Sequence, residues 1–530
     1  MKSCLFPAVL IVLCGLSPGN AVFAASCDSM AVQGNYPTRG WGLDVRNTRY
    51  QSQTSINRNN VEGLELLWSF ALDEDFSPHS YPLVGTDTVF VGTEDGNLYA
   101  LAKDSACVRW SFKIDSAIRT AITLGSVQRG EANTEAIFFG TFSGEVYALA
   151  SIDGELLWRA DVKDHPLSVV IGTPVFHQGK LYVPLSSMEV AVAISPLYGC
   201  CTFRGSILSL DANTGNHEWR KHVIAEPAKV TGSHYLFVQE WGPSGAPVWS
   251  SPTIDVNRGA IYFGTGENYT QPTTLTSDAI FALNLDGGSL RWVEQFTQQD
   301  AFNMACAIPG HPNCPDEAGP DLDFGAPPII SRLDSGKGIL IAGQKSGDVY
   351  GLNPDTGELI WQKNLGRGGY LGGVHWGMAV NEKLGLLFVP ISDIPAGPGE
   401  GEPSPGINAL DIKTGELLWL TPNADHCQDR LLCRTGMSAA IVATPDLVFA
   451  GGLDGWLHAY DAETGKILWT YDTWRDFETI NELPARGGAI DVHGPVVAGD
   501  MVFVQSGYAT FGQQGGNTLL AFRLPALSGG

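Results

Sequence analysis

Outside its first residues the chain has no apolar run long enough to cross a bilayer as a helix, which takes roughly 20 residues. Helical heptads are absent, and with them the coiled-coil and long-helix architectures. Positive charge is scarce: 32 Lys and Arg stand against 56 Asp and Glu, a formal net charge of −24. Such a surface repels nucleic acid and anionic membranes and keeps an exported protein in solution. No Cys-x-x-Cys-His occurs, so no haem is attached covalently through that motif.

What is present begins with a leader. Lys2, the apolar run Leu5 to Leu16 and the small residues Ala21, Ala24 and Ala25 read as a secretory signal over residues 1–26. The prediction is a mature chain of residues 27–530, periplasmic or secreted. Setting aside Cys4 and Cys14 of the leader leaves eight cysteines, an even number that suggests disulfides in an oxidising compartment. Cys306 with Cys314 and Cys427 with Cys433 close short loops, leaving Cys27 with Cys107 and the adjacent Cys200 and Cys201.

The commonest pattern is Asp-x-x-Thr-Gly followed by three residues and Trp. It occurs at Asp211 to Trp219, Asp411 to Trp419 and Asp461 to Trp469, and with Asn353 in the first place at Asn353 to Trp361. Looser copies end at Trp110, Trp158 and Trp292, and a first, without Thr-Gly, at Trp68. Eight tryptophans therefore close eight similar units. Before the turns stand short strands of alternating apolar residues, such as Ile207 to Leu210 and Leu457 to Tyr460. Asp and Thr-Gly supply the turn that joins strands into hairpins, and Trp brings an apolar face with one N–H donor for docking sheet on sheet.

With 63 Gly, 31 Pro and 10% aromatic residues, this predicts an all-β fold, an eight-bladed β-propeller with tryptophan docking motifs. A four-stranded blade takes roughly 40–45 residues. The intervals from Trp219 to Trp292 and Trp292 to Trp361 exceed that most, by about two to three dozen, and such loops are where scaffolds carry function. The last strand, Leu519 to Phe522, has no tryptophan after it. The orphan strand Leu64 to Trp68 can complete that blade and close the ring, removing two exposed edges.

These units resemble the docking motifs of the quinoprotein alcohol dehydrogenases, and the resemblance spans nearly the whole mature chain. Cys200-Cys201-Thr-Phe-Arg204-Gly, the run Gly373 to Met378, and Ser506-Gly507-Tyr508 with Gly516-Asn517 are similar to the polyvinyl-alcohol dehydrogenase branch. The resemblance implies pyrroloquinoline quinone (PQQ) and calcium at the propeller centre.

By its residues alone, Glu189 is a loop glutamate; the resemblance makes it a calcium ligand, as does Glu267 or its neighbour Asn268. Trp249 lies outside the docking series; it either packs a core or, by resemblance, carries the cofactor ring. Asp323 falls in an acid-rich stretch that reads as a surface loop or as the family's general base beside calcium. Two close carboxylates raise one another's pKa unless a cation offsets them. Lys345 resembles the basic residue at the quinone oxygens, and Arg119 the arginine that meets a cofactor carboxylate, for which a guanidinium is suited. His375 and Trp376, within the run similar to that branch, are by the same resemblance expected to bind the cofactor. Cys200 and Cys201 either stay separate or bridge elsewhere, or form the vicinal disulfide that the family carries near the quinone, in the methanol-oxidising members earlier in the chain than here.

The implied reaction is alcohol oxidation, with Asp323 removing the hydroxyl proton and electrons leaving to a separate cytochrome c or other acceptor. Two rivals are a non-catalytic propeller scaffold of the outer-membrane assembly type and a quinoprotein acting on sugars or aldehydes.

Overall fold

The computed structural model describes Cys27 and residues 38–525, apart from 73–75, 236, 334, 396, 398, 400 and 429; the leader expected at residues 1–26 lies outside the described residues. Eight antiparallel sheets of four or five strands make up the fold. In seven of them the strands follow chain order, as in Val442–Ala443, Leu447–Gly451, Trp456–Asp461 and Ile467–Asp472. The eighth closes the ring. Glu65–Ala71 pairs with Thr518–Arg523 in a register running from Glu65 opposite Arg523 to Ala71 opposite Thr518, next to Met501–Ser506 and Val496–Ala498. The orphan first strand thus supplies the partner that the last strand lacks in sequence.

Burial falls from one edge of each blade to the other. First strands such as Thr253–Asp255 and Ala379–Asn381 are wholly buried, whereas the fourth strands Leu156–Asp161 and Leu417–Pro422 are largely exposed at every second residue. The first strands therefore face the axis and the fourth form the rim.

The docking tryptophans explain the repeat. Trp158 donates its indole N–H to the carbonyl of Ala212 at 2.8 Å, Trp361 to Ile412 at 3.1 Å and Trp469 to Leu64 at 3.1 Å, each in the next blade. The rings of Trp158 and Trp361 also lie on the turn glycine of the following unit. A Cβ on Gly215 would stand 2.7 Å from Trp158, and one on Gly415 2.5 Å from Trp361. Both glycines have positive φ, at 73° and 71°, so the position demands glycine twice over. In the turn itself Asp211 Oδ1 accepts from the amides of Asn213 and Thr214 and from the Thr214 hydroxyl.

The segment from Gly42 to Gln51 runs across the axis. The carbonyls of Val45, Arg46, Thr48 and Arg49 accept in turn from the amides of Ile254, Ile330, Val380 and Ala443, which belong to or adjoin the first strands of four blades. Arg49 is fully buried, donating to the carbonyls of Ile441, Trp41 and His493 between the rings of Trp41 and Tyr81.

Four disulfides join Cys27 to Cys107, Cys200 to Cys201, Cys306 to Cys314 and Cys427 to Cys433. No helix among the described residues is long and apolar enough to cross a membrane.

Candidate active site

Strands one and two of a blade are antiparallel, so residues just before the first and just after the second meet at the same end. That rule gathers the candidates. Trp249 precedes Thr253–Asp255, Asp321 to Gly325 precede Ile329–Arg332, and His375 and Trp376 precede Ala379–Asn381; Glu267 follows Ala260–Gly264, and Lys345 follows Gly338–Gly343.

Asp323 is the hub. Its Oδ2 accepts from the Trp249 indole N–H at 2.9 Å and from Lys345 Nζ at 3.2 Å, and its Oδ1 accepts from the Glu267 amide at 3.1 Å. Lys345 Nζ also donates to Asp321 Oδ1 at 2.9 Å. Asp300 holds the loop from behind by accepting from the amides of Asp321 and Leu322. The approach is too close for side chains at two glycines. A Cβ on Gly325 would stand 2.1 Å from the Trp249 ring, and one on Gly266 2.9 Å from the Asp323 carboxyl.

Glu267, Asp321, Asp323 and Lys345 are all buried. Burial pushes Glu267 well above the usual carboxylate range, and the charges of Asp323 and Asp321 push it further. Burial also raises Asp321, against the pull of Lys345. Burial acts on Asp323 in the same sense, but Lys345 and the hydrogen bonds from Glu267 hold it below its ordinary value. Burial works against the charge on Lys345, but Asp321 and Asp323 raise its pKa nonetheless. Lys345 is thus set between Asp321 and Asp323, while burial disfavours charge on Glu267 and Asp321. Carboxylate oxygens of Glu267, Asp321 and Asp323 lie within 4.8 Å of one another. Hard oxygen donors at that spacing fit a calcium-type cation, which would supply the charge the acids lack.

Trp249 meets His375 and Trp376 edge-on, with interplanar angles of 72° and 81°, and Lys345 Nζ stands 5.5 Å from its ring centroid. An indole face walled by aromatic edges, with a cation beside it and glycine in place of a Cβ, fits a flat anionic ring. His375 Nδ1 meets Ser438 Oγ at 2.8 Å, and burial pushes its pKa down to about 3, so the imidazole is neutral.

Three other candidates find their hydrogen-bond partners outside the carboxylate cluster. Glu189 opens a one-turn helix, Glu189–Val192, and is fully buried. Its oxygens accept from the Tyr198 hydroxyl and the amides of Thr202 and Phe203, so the segment that follows Cys200 and Cys201 holds it. Asn268 donates to the Ser244 carbonyl and accepts from Thr274, knitting a ribbon. Arg119, which the resemblance directs at a cofactor carboxylate, pairs with Glu94 at 2.9 Å over the Phe142 ring.

Sequence reasoning gave no role to Asp321, although it lies in the acid-rich stretch that was singled out, and passed over Asp300 and Tyr269. The Asp-x-Asp spacing of Asp321 and Asp323 was the available signal for the first. Asp300 is a lone acid 21 residues upstream of Asp321, and nothing local marks it. Tyr269 is buried, and its hydroxyl pKa is raised by burial and by the charges of Glu267 and Glu189.

The family described as "Glucose/ethanol/alcohol dehydrogenase, beta-propeller domain" matches residues 39–313, and that of "Outer membrane protein assembly factor BamB" matches residues 405–524. A polyvinylalcohol dehydrogenase of a Pseudomonas species is 35% identical over 495 residues, 91% of this chain and 76% of the relative. One from Sphingopyxis sp. (strain 113P3) is 35% identical over 499 residues, with the same shares covered. In fold, the chain is similar to the quinohemoprotein alcohol dehydrogenase ADHIIG of Pseudomonas putida HK5, with a TM-score of 0.69, 18% identity, and 94% and 84% of the two chains covered. The 35% identity over 91% of the chain to the two polyvinylalcohol dehydrogenases, on eight blades docked by tryptophan, makes this chain a member of the PQQ-dependent quinoprotein alcohol dehydrogenase family and an oxidoreductase of that family.

Proposed function

We propose that the protein oxidises secondary alcohols of an extended, polyvinyl-alcohol-like substrate in the periplasm or outside the cell, using PQQ and calcium. The observation that carries this reading is the setting of Asp323: buried, paired with the Lys345 ammonium and fixed by Trp249 and the Glu267 amide. Glu267, Asp321 and Asp323 would hold calcium. Trp249 would carry PQQ, with His375 and Trp376 at its edges and Lys345 beside it. Bound PQQ supplies an electrophilic orthoquinone that takes up hydride, and bound calcium a Lewis acid that polarises it.

The chain's own part is to position and to move one proton. Asp323 accepts the hydroxyl proton as the carbinol hydrogen leaves as hydride. The O–H and C–H bonds break, a carbon–oxygen double bond forms, and the secondary alcohol becomes a ketone. Oδ2 already takes two donors, which directs the substrate proton to Oδ1, where one backbone amide binds. Lys345 keeps Asp323 ionised in a desolvated site, as a base must be before reaction. Without a Cys-x-x-Cys-His haem site, electrons pass to a separate cytochrome c or another acceptor. Pairing of all eight cysteines outside the leader supports an oxidising compartment.

The BamB match over residues 405–524 is the observation favouring a scaffold. It covers the blades away from Asp323, and a scaffold has no use for a buried Asp323–Lys345 pair beside two further buried acids. The test is to add PQQ and calcium to the purified protein and supply alcohols with an artificial electron acceptor. Oxidation of secondary alcohols that needs both additions supports the reading; no oxidation of any alcohol after PQQ has bound overturns it.

A further inference from the structure

The two longest intervals between docking tryptophans together build a feature that belongs to no blade. Its walls are the hairpin of Lys229–His234 and Val238–Gly242, the turn after Asn268–Thr270, and the loop closed by the Cys306–Cys314 disulfide. Between them opens a cleft of about 540 Å³ bordered by Thr231, Glu240, Trp241, Gln271, Gln299 and Asn313. That size lies within the range of roughly 300–1,000 Å³ usual for ligand sites.

The cleft is anchored to the wall of the active site. Cys200 borders it and accepts from the Trp241 amide at 2.8 Å. The amides of Thr202 and Phe203, next along the chain, hold Glu189. Across the cleft Asn313 donates its carboxamide N–H to the carbonyls of Ala193, Ser195 and Tyr198. That fixes the orientation of the amide and leaves Oδ1, buried, with no hydrogen-bond partner among the described residues.

The lining chemistry selects the ligand. Hydroxyls and carboxamides from Thr231, Gln271 and Gln299 offer donors and acceptors, and the Trp241 indole offers an apolar face. Glu240, Asp316 and Glu317 also border the cleft and disfavour anions. Exposed Tyr235, Phe237 and Leu275 add apolar surface on the hairpin and the neighbouring turn. An uncharged aliphatic chain with hydroxyls at intervals meets every one of these features.

We infer that this cleft binds the stretch of a polyhydroxylated chain that flanks the reacting carbinol, holding the polymer while one unit reaches Asp323. The inference rests on the reading of the protein as an alcohol-oxidising enzyme, and deepens it by separating chain binding from chemistry.

Two variants test it: Trp241→Ala, which removes the apolar face, and Gln271→Ala, which trims a partly exposed side chain and spares the fold. Binding of a short vinyl-alcohol oligomer is measured by calorimetry without turnover, beside steady-state oxidation of that oligomer and of 2-propanol by protein loaded with PQQ and calcium. The expected result is at least tenfold weaker oligomer binding and a matching rise in KM for the oligomer, with kcat and all 2-propanol parameters unchanged. Folded variants that bind the oligomer like the parent overturn the inference. Oligomer binding that depends on the cleft in a protein that oxidises no alcohol would keep the cleft and remove the enzymatic reading instead.

Discussion

The ammonium of Lys345 stands 3.2 Å from Oδ2 of Asp323, with both side chains buried. Replacing Lys345 by Met leaves the carboxylates without their cation. Loss of one partner of a buried pair costs about 3–5 kcal/mol, so the midpoint of denaturant unfolding should fall by that equivalent. Calcium should restore more stability to this variant than to the parent. Equal calcium responses in the two proteins would place the cation elsewhere.

Calcium should stabilise the parent itself. At one hundred times its dissociation constant a ligand specific for the folded state adds about 2.7 kcal/mol. Asp321→Asn removes one of the three clustered carboxylates and should weaken calcium binding at least tenfold by calorimetry. Unchanged affinity would show that Asp321 is no ligand.

Asp491 offers a test by pH. Burial lifts its pKa to about 7, against the pull of the Ser438 hydroxyl and the Val492 amide, from an ordinary value of 3.8. Between those values the folded state holds the proton more tightly than the unfolded chain, so this group's contribution to stability falls as pH rises from about 4 to 7 and is level above that. About three pKa units correspond to about 4 kcal/mol. Asp491→Asn should remove this slope, and denaturant midpoints at pH 5 and pH 8 measure it. A variant with the parental pH dependence contradicts the assignment.

Arg49 locks the axial segment to the blades. Arg49→Met leaves the carbonyls of Trp41, Ile441 and His493 without their donor, at about 1–3 kcal/mol for each buried group left unpaired. A stability loss of several kcal/mol is expected in calorimetric or denaturant unfolding. A loss below about 1 kcal/mol would mean that the segment is held by its backbone hydrogen bonds alone.

The blades were legible because their cause is local and repeated: Asp folds the turn, glycine clears room, and the next tryptophan lies on it, as Trp158 does on Gly215. Closure by Glu65–Ala71 was legible for the same reason, through the one strand left unpaired. Glu267, Asp323 and Lys345 could be named through the family resemblance, and the structure sets each at the end of a blade. What escaped depends on contacts with no period. The carbonyls of Val45 to Arg49 reach the amides of Ile254 through Ala443 across most of the chain, and Glu94 meets Arg119 from the preceding blade. Asp300 supports Asp321 and Leu322 from 21 and 22 residues away, and no spacing in the sequence announces it.

The central claim is that Asp323 is the base. Asp323→Asn keeps size and most hydrogen bonds but removes the charge. The decisive measurement is single-turnover oxidation of a secondary alcohol by this variant with calcium and PQQ both saturating, their binding confirmed by quenching of tryptophan fluorescence. The account predicts retained PQQ binding and a rate lower by at least the roughly 10²–10⁴-fold that a positioned base contributes. A variant that binds PQQ and reduces it at the parental rate would contradict it.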